Sequence, residues 1–250
     1  LITRAHTQGL RIYGATITAA GNELRTVLDC PVTRIDHSGR ALKIETTKGA
    51  IVADRAIVTL PTATIAENEH LFFPALPDKT QAASGLPLGL ADKLFIALAD
   101  SQEFEPNCRV FAHTDRVATA SYQIRPFGRP MIEAYFGGSN AAVLEDGGDR
   151  AFFDFAVSEL TNVFGSSFAT RLKPIAIHRW RADPFARGSY SYAMLGKATC
   201  REALAAPVDG RLFFAGEACS PGDFSTAHGG WFTGTAAAEQ AIAVRENAQV

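Results

Sequence analysis

The residues best suited to chemistry lie near the end of the chain. Gly216-Glu217 follows the apolar run Leu212-Phe213-Phe214-Ala215, and Thr226-Ala227-His228-Gly229-Gly230 opens an alanine-rich segment. The pattern predicts a buried strand ending in a Gly-Glu turn, a short irregular loop, and a helix whose first turn carries two glycines. Such a start presents free backbone N–H groups and the positive end of the helix dipole to whatever lies before it. A glutamate just ahead of it can hold ribityl or ribose hydroxyls, so the segment has the make-up of a cofactor site. His228 could act as a general base, but its place in the helix start suits it better to orienting backbone or cofactor contacts.

The elements around this segment are expected as follows. Glu23 to Leu28 reads as a short helical turn with Asn22 as N-cap candidate. Val32 to Ile35, Leu42 to Thr47 and Ile51 to Thr59 read as strands separated by turns at Ser38-Gly39 and Lys48-Gly49, ending at Leu60-Pro61. Thr62 to Glu67 and Lys79 to Ser84 read as short helices, and Gly89 to Ala97 as a strand. Ala118 to Ile124 and Met131 to Tyr135 read as an antiparallel pair across Arg125-Pro126-Phe127-Gly128. Phe152, Phe155, Ala156, Leu160 and Val163 have helical spacing within Arg150 to Phe164, and Lys173 to Trp180 returns to strand. No GxGxxG unit, the usual opening of a dinucleotide-binding domain, occurs anywhere: Gly14, Gly21 and Gly39 are isolated.

Bulk composition narrows the field. The 250 residues are 47% hydrophobic and 20% charged, enough for one large domain or two small ones with a substantial core. A net charge of -2 supplies no electrostatic case for nucleic acid or an anionic membrane. The longest apolar runs fall far short of a membrane span, and no basic-then-apolar segment suggests a secretory signal. Cys30, Cys108, Cys200 and Cys219 are widely spaced, as reduced cytoplasmic thiols would be. No His or Cys has metal-ligand spacing from another, so no metal site is expected.

Four segments together resemble one family, the flavin-containing amine oxidases (monoamine and polyamine oxidases, lysine-specific histone demethylases, L-amino-acid oxidases). Phe213 to Ala238 resembles the family's FAD-contacting strand, loop and helix. Trp180-Arg181-Ala182-Asp183-Pro184 through Gly188-Ser189-Tyr190 resembles its tryptophan, Asp-Pro, Gly-Ser-Tyr segment. Leu86-Pro87-Leu88-Gly89-Leu90-Ala91-Asp92-Lys93 is similar to its glycine-to-lysine strand, and Pro31-Val32 to Ile35 with Ala53 to Pro61 to its adenine-side strands.

The resemblance implies an α/β (mixed α+β) fold of the FAD/NAD(P)-binding amine-oxidase type, incomplete because the family's GxGxxG unit precedes everything seen here. Residues 1–60 would supply partial FAD-binding strands, 61–200 a mixed-sheet substrate-binding domain, and 201–250 the closing FAD-binding strand and helix. A truncation, one chain of a processed or two-subunit oxidase, and a partial gene product are all compatible with this.

It further implies non-covalent FAD, an amine substrate and O2 as oxidant. Val32, Thr59, Pro61, Trp180, Tyr190, Gly216, Glu217, Thr226, Ala227 and Gly229 would contact the cofactor. Lys93 would hold a water at flavin N5, where hydride arrives and near which oxygen later reacts. Tyr190 and Trp180 would be aromatic walls for a neutral amine; core packing is an equal account of Trp180. Thr226 stands where monoamine oxidases place a second tyrosine, which favours a more open pocket of polyamine or amino-acid type. Ser189 stands where some relatives carry the cysteine that bonds flavin, and a serine forms no thioether. Arg181 and Arg187 could grip a substrate carboxylate, although solvated arginines beside an Asp-Pro turn suit them better. The rival readings are a desaturase or protoporphyrinogen-type oxidase on the same fold, and a non-catalytic subunit whose partner chain supplies GxGxxG.

Overall fold

The computed structural model describes residues 17–19, 21 and 23–247. They divide into two compact units, one of which is Leu90–Ala182 with the described residues before Val27; the other is Val27–Gly89 together with the chain from Asp183 onward.

The Leu90–Ala182 unit is built on a five-stranded sheet of β6 (Ala91–Leu98), β7 (Cys108–Phe111), β8 (Ser121–Ile124), β9 (Met131–Gly137) and β10 (Leu172–His178), in the order β10-β6-β9-β8-β7. Every neighbouring pair is antiparallel. Side chains alternate across a strand, and β6 follows the rule: Leu94, Ile96 and Leu98 are buried while Lys93, Phe95 and Ala97 are half-buried on the opposite face. The buried face packs under α3 (Gly138–Asp146) and α4 (Asp149–Phe164). Phe152, Ala156 and Leu160, spaced four apart on α4, are fully buried, and Phe152 meets Phe136 of β9 edge-on at 5.1 Å. Val163, expected on this stripe, is exposed in the last turn.

The other unit holds β1 (Val32–Asp36), β2 (Leu42–Thr46), β3 (Gly49–Ala53), β4 (Ala56–Val58), β5 (Phe72–Phe73) and β11 (Leu212–Phe214). A mixed sheet runs β3-β2-β1-β5, with β1 and β5 parallel, and β4 and β11 form a separate parallel pair. Helices α1 (Thr62–Glu67), α2 (Pro77–Ser84), α5 (Cys200–Ala205) and α6 (Ala227–Asn247) complete it. Its core gathers Ile35, Leu42, Val58, Ile65, Leu71, Leu86, Leu204, Leu212 and Phe214. Among the described residues no helix is long and apolar enough to cross a membrane.

The fold class is mixed α/β, as the motifs imply. Two local expectations fail. Glu23 to Leu28 is turn and coil rather than helix, and Asn22 lies outside the described residues. Ile51 to Thr59 is two strands, because β3 closes a hairpin with β2 while β4 pairs with β11 more than 150 residues away. α3 opens at Gly138, which takes φ +59, a turn-forming value that glycine adopts freely, as the chain leaves β9. The boundaries expected at residues 60 and 200 both fall within the unit that holds β4 and β11.

Lys79, read only as the start of a helix, is 4% exposed. Its ammonium donates to the carbonyls of Ala203 (2.7 Å), Leu204 (2.9 Å) and Ala206, the C-terminal end of α5, and lies over the Phe214 ring. A cation at a helix C-terminus satisfies carbonyls left without partners. Burial pulls its pKa down to about 8.

Candidate flavin-contacting and catalytic residues

β4 and β11 run parallel, so their carboxyl ends share one edge. Ala215 N–H donates to Val58 O (3.0 Å), which sets Thr59, Leu60 and Pro61 beside Ala215 and Gly216. Ligands of open α/β sheets collect at such carboxyl ends. Gly216 turns the chain at φ +130, a value side chains rarely allow. Its N–H and C=O both bond Thr233 Oγ1 in α6, at 3.0 and 2.9 Å, which ties the turn to the helix.

Glu217 gathers this region. Its carboxylate accepts Ser191 N–H (2.9 Å), Ser191 Oγ–H (2.8 Å) and Ser225 N–H (2.7 Å). An ionised carboxylate offers about four lone-pair sites, so roughly one remains for a ligand hydroxyl. Ser191 in turn accepts from Arg201 Nη1 (2.9 Å), a guanidinium that also donates to Ala218 O and lies over Phe224. Arg201 is 2% exposed, and burial lowers its pKa from the usual arginine value.

Residues 86–89 and 188–192 meet edge to edge: Gly89 N–H donates to Tyr190 O, Ser189 N–H to Gly89 O, and Tyr192 N–H to Pro87 O. A Cβ on Gly188 would sit 2.5 Å from Leu88 Cβ, so the close approach needs glycine. Two of the four sequence segments are thus bonded together, with Tyr190 half-exposed on one of them and Glu217 gripping its neighbour Ser191.

Thr226 caps α6. Its Oγ1 accepts Gly229 N–H (3.0 Å) and donates to Asp223 O (2.5 Å), so most of its hydrogen-bonding capacity is used within the protein. A Cβ on Gly229 would meet Asp223 O at 2.0 Å, whereas one on Gly230 would meet Glu217 N at 3.7 Å; only the first glycine is demanded by packing. The amides of Ala227 and His228 carry no hydrogen bond to any described residue. His228 is exposed and near Asp223 (3.6 Å). We expect Thr226→Ala to cost about 1 kcal/mol as a lost N-cap, read as a lowered midpoint in thermal unfolding of the chain.

The remaining candidates lie in the Leu90–Ala182 unit. Lys93 sits on the half-exposed face of the five-stranded sheet, opposite Tyr135 on β9 and His178 on β10. Its ammonium is ion-paired with Glu133 of β9. Trp180 is 40% exposed, its indole stands edge-on to His178 at 4.2 Å, and its backbone N–H donates to Asp92 Oδ1 (3.2 Å). Arg181 pairs with Glu145 and Asp146, and in the other unit Arg187 pairs with Glu67; both guanidiniums are committed to protein carboxylates.

The expected site residues therefore fall into two groups. Lys93 and Trp180 belong to one unit; Thr59, Pro61, Tyr190, Gly216, Glu217, Thr226, Ala227 and Gly229 belong to the other, as does Val32, which opens β1 in its mixed sheet. Ser191, Ser225 and Arg201 were missed. Their only sequence signal was the position of Ser191, one residue after the Gly-Ser-Tyr run.

A family model for flavin-containing amine oxidoreductases matches residues 7–242. Polyamine oxidase 5 of Oryza sativa subsp. japonica is 32% identical over 249 residues, covering 96% of this chain and 49% of the relative. A possible lysine-specific histone demethylase 1 of Drosophila melanogaster is 33% identical over 183 residues, 67% of this chain and 20% of the relative. Among solved structures, a single mutant of putrescine oxidase redesigned in its cofactor binding superposes with TM-score 0.74 at 17% identity, over 93% of this chain and 52% of that one. The chain belongs to the flavin-containing amine oxidoreductase family, and it spans about half the length of the polyamine oxidases it matches.

The residues present suit part of a flavin cofactor. Two unbonded amides at the start of α6 are donors for an electron-rich ring edge, and Glu217 keeps an acceptor site for a hydroxyl. Nothing in the 250 residues offers the glycine-rich turn that would grip a diphosphate.

Proposed function

We propose that the chain is the C-terminal half of an FAD-dependent amine oxidase. The observation that carries this reading is the Gly216-Glu217 turn at the carboxyl end of β4 and β11, running into a helix with two unbonded first-turn amides. Ala227 and His228 would face the flavin pyrimidine edge, where a helix N-terminus favours negative charge. Glu217 would take a ribityl or ribose hydroxyl, and Thr59, Pro61 and Gly216 would line the same edge. When bound, FAD supplies the hydride acceptor for the carbon next to the amine and returns the electrons to O2 as hydrogen peroxide.

The chain's own residues bind and orient. Tyr190 and Trp180 offer aromatic faces that hold a neutral amine without a hydrogen bond to trap the ammonium. Lys93 holds a water and places a cation where negative charge develops on oxygen. The imine product hydrolyses to a carbonyl compound and ammonia or a smaller amine. Thr226 in place of a tyrosine, with relatives named polyamine oxidases, favours a polyamine over a small monoamine. The wide cysteine spacing supports a cytoplasmic location.

The test is reconstitution. The chain joined to a GxGxxG-bearing N-terminal half should be yellow and should release peroxide with a polyamine in preference to monoamines and cyclic alkenes. A colourless product, or peroxide from the alkenes alone, overturns the reading. The missing diphosphate-binding turn favours a further point: the 250 residues alone should purify without visible absorbance. Ser189 predicts that acid denaturation of the loaded enzyme releases all flavin to the supernatant; colour retained on the polypeptide would refute non-covalent binding.

A further inference from the structure

Asp92 immediately precedes Lys93 but points to the opposite, helix-covered face of β6, and it is 0% exposed. Oδ1 accepts the Trp180 backbone N–H, while Oδ2 is buried with no hydrogen-bond donor among the described residues. The side chain it does meet is Glu145 of α3, 4% exposed, whose own Oε1 accepts the Arg181 N–H at 3.0 Å. Two buried carboxyls thus lie together, each holding the amide of one of two successive residues. An acceptor oxygen with no donor beside another carboxylate is satisfied only if a proton lies between them. Two ionised carboxylates at such a spot repel strongly.

We propose that Asp92 and Glu145 share one proton and act as a positioning pair, setting the place of the Trp180 indole through the backbone of Trp180 and Arg181. Losing the proton puts a second negative charge in the buried site, drives the two carboxyls apart and pulls the two amides with them. The consequence for catalysis, an aromatic wall displaced as pH rises, rests on the amine-oxidase reading above; the positioning itself does not.

The surroundings explain why a proton is held there. α3 contributes Glu145 and Asp146, the segment after β10 contributes Arg179 and Arg181, and Asp149 of α4 is paired with Arg179 at 2.8 Å. β9 places the apolar Phe136 opposite Asp92, and Lys93 with Glu133 lies on the other face of the sheet. His178 of β10 touches the indole. Burial above all, opposed by the Trp180 N–H and reinforced by Glu145, pushes the Asp92 carboxyl up to about 7, with Arg181 pulling the other way. In the unfolded chain an aspartate ionises at about 4. The native state therefore keeps a proton that the unfolded state has lost, and stability present below about pH 4 is lost as pH rises toward 7.

The chain has two tryptophans, Trp180 and Trp231, so Trp231→Phe leaves Trp180 as the only indole emitter. In that background, emission followed between about pH 5 and 9 should show one transition centred near pH 7. Asp92→Asn, which keeps the acceptor for Trp180 and needs no proton, should abolish it. Glu145→Gln should move it to lower pH by removing the neighbouring charge. His178→Gln, which removes the imidazole touching the indole, should leave it in place. The proposal is overturned by flat emission, by a transition that survives Asp92→Asn, by one that Glu145→Gln does not move, or by one that His178→Gln removes. If the asparagine variant does not fold, the glutamine shift decides. The readout needs neither flavin nor amine, so its failure is distinct from failure of the oxidase reading.

Discussion

If the proposed oxidase reading holds, Lys93→Met should lower amine turnover of the reconstituted enzyme by about 10²- to 10³-fold, the usual effect of removing one well-placed charge-stabilising group, while the unfolding midpoint should barely move. The side chain is 43% exposed and, among the described residues, is ion-paired with Glu133. Such pairs contribute about 0–1 kcal/mol, and methionine keeps the apolar stem that packs along the sheet. Rapid-mixing kinetics on the complete enzyme separate the two halves of the reaction, and the loss should concentrate in the oxygen-dependent half. Glu133→Gln removes the partner and leaves the ammonium, so it should retain most of the turnover. Full activity in Lys93→Met would end the case for this lysine and return it to the status of a paired surface residue.

Glu217→Ala should destabilise the unit that contains it by about 3–9 kcal/mol, at roughly 1–3 kcal/mol for each of three lost hydrogen bonds. Three donors from two distant segments lose their acceptor at once: both polar groups of Ser191 and the amide of Ser225. The buried Arg201 also loses a nearby negative charge. Glu217→Gln, with one carbonyl oxygen and an amide that must face away from the donors, should fall between the variant and the native chain. Denaturant unfolding reads the stability, and flavin retention in the reconstituted enzyme reads the site. A Glu217→Ala protein of native stability that merely lost flavin would mean that Glu217 serves the cofactor and little else.

The two predictions differ in how far the sequence foresaw them. Lys93 was singled out only because Leu86-Pro87-Leu88-Gly89-Leu90-Ala91-Asp92-Lys93 resembles a family segment, and its role is a proposal. Glu217 was singled out as a candidate ligand residue, but its structural work was not foreseen, since Ser191 lies 26 positions away. Arg201 was invisible for the same reason: an arginine in a short helix ordinarily faces water, and only its meeting with Ser191, Ala218 and Phe224 accounts for a buried guanidinium.

α1 emerged at its observed bounds and α4 within one residue, while the β8–β9 hairpin emerged with β8 begun three residues early and β9 ended two residues short. In these, hydrophobic spacing and turn chemistry act within a few residues. The break between β3 and β4 did not emerge, because apolar strand residues suit either sheet and the choice was made by Leu212, Phe213 and Phe214.

What the sequence determined by itself was local: the positive-φ turn at Gly216, the glycine forced at 229 by the approach of Asp223, and the alternation that leaves Lys93 on one face of β6 and Asp92 on the other. What only the tertiary structure decided was partnership: Glu217 with two serines, Lys79 with the end of a helix more than 120 residues away, Asp92 with Glu145. Backbone geometry and side-chain alternation are properties of neighbouring residues. The protonation of a carboxyl and the free capacity of an acceptor depend on burial and on which donors arrive from elsewhere, and those are settled only when the chain has packed.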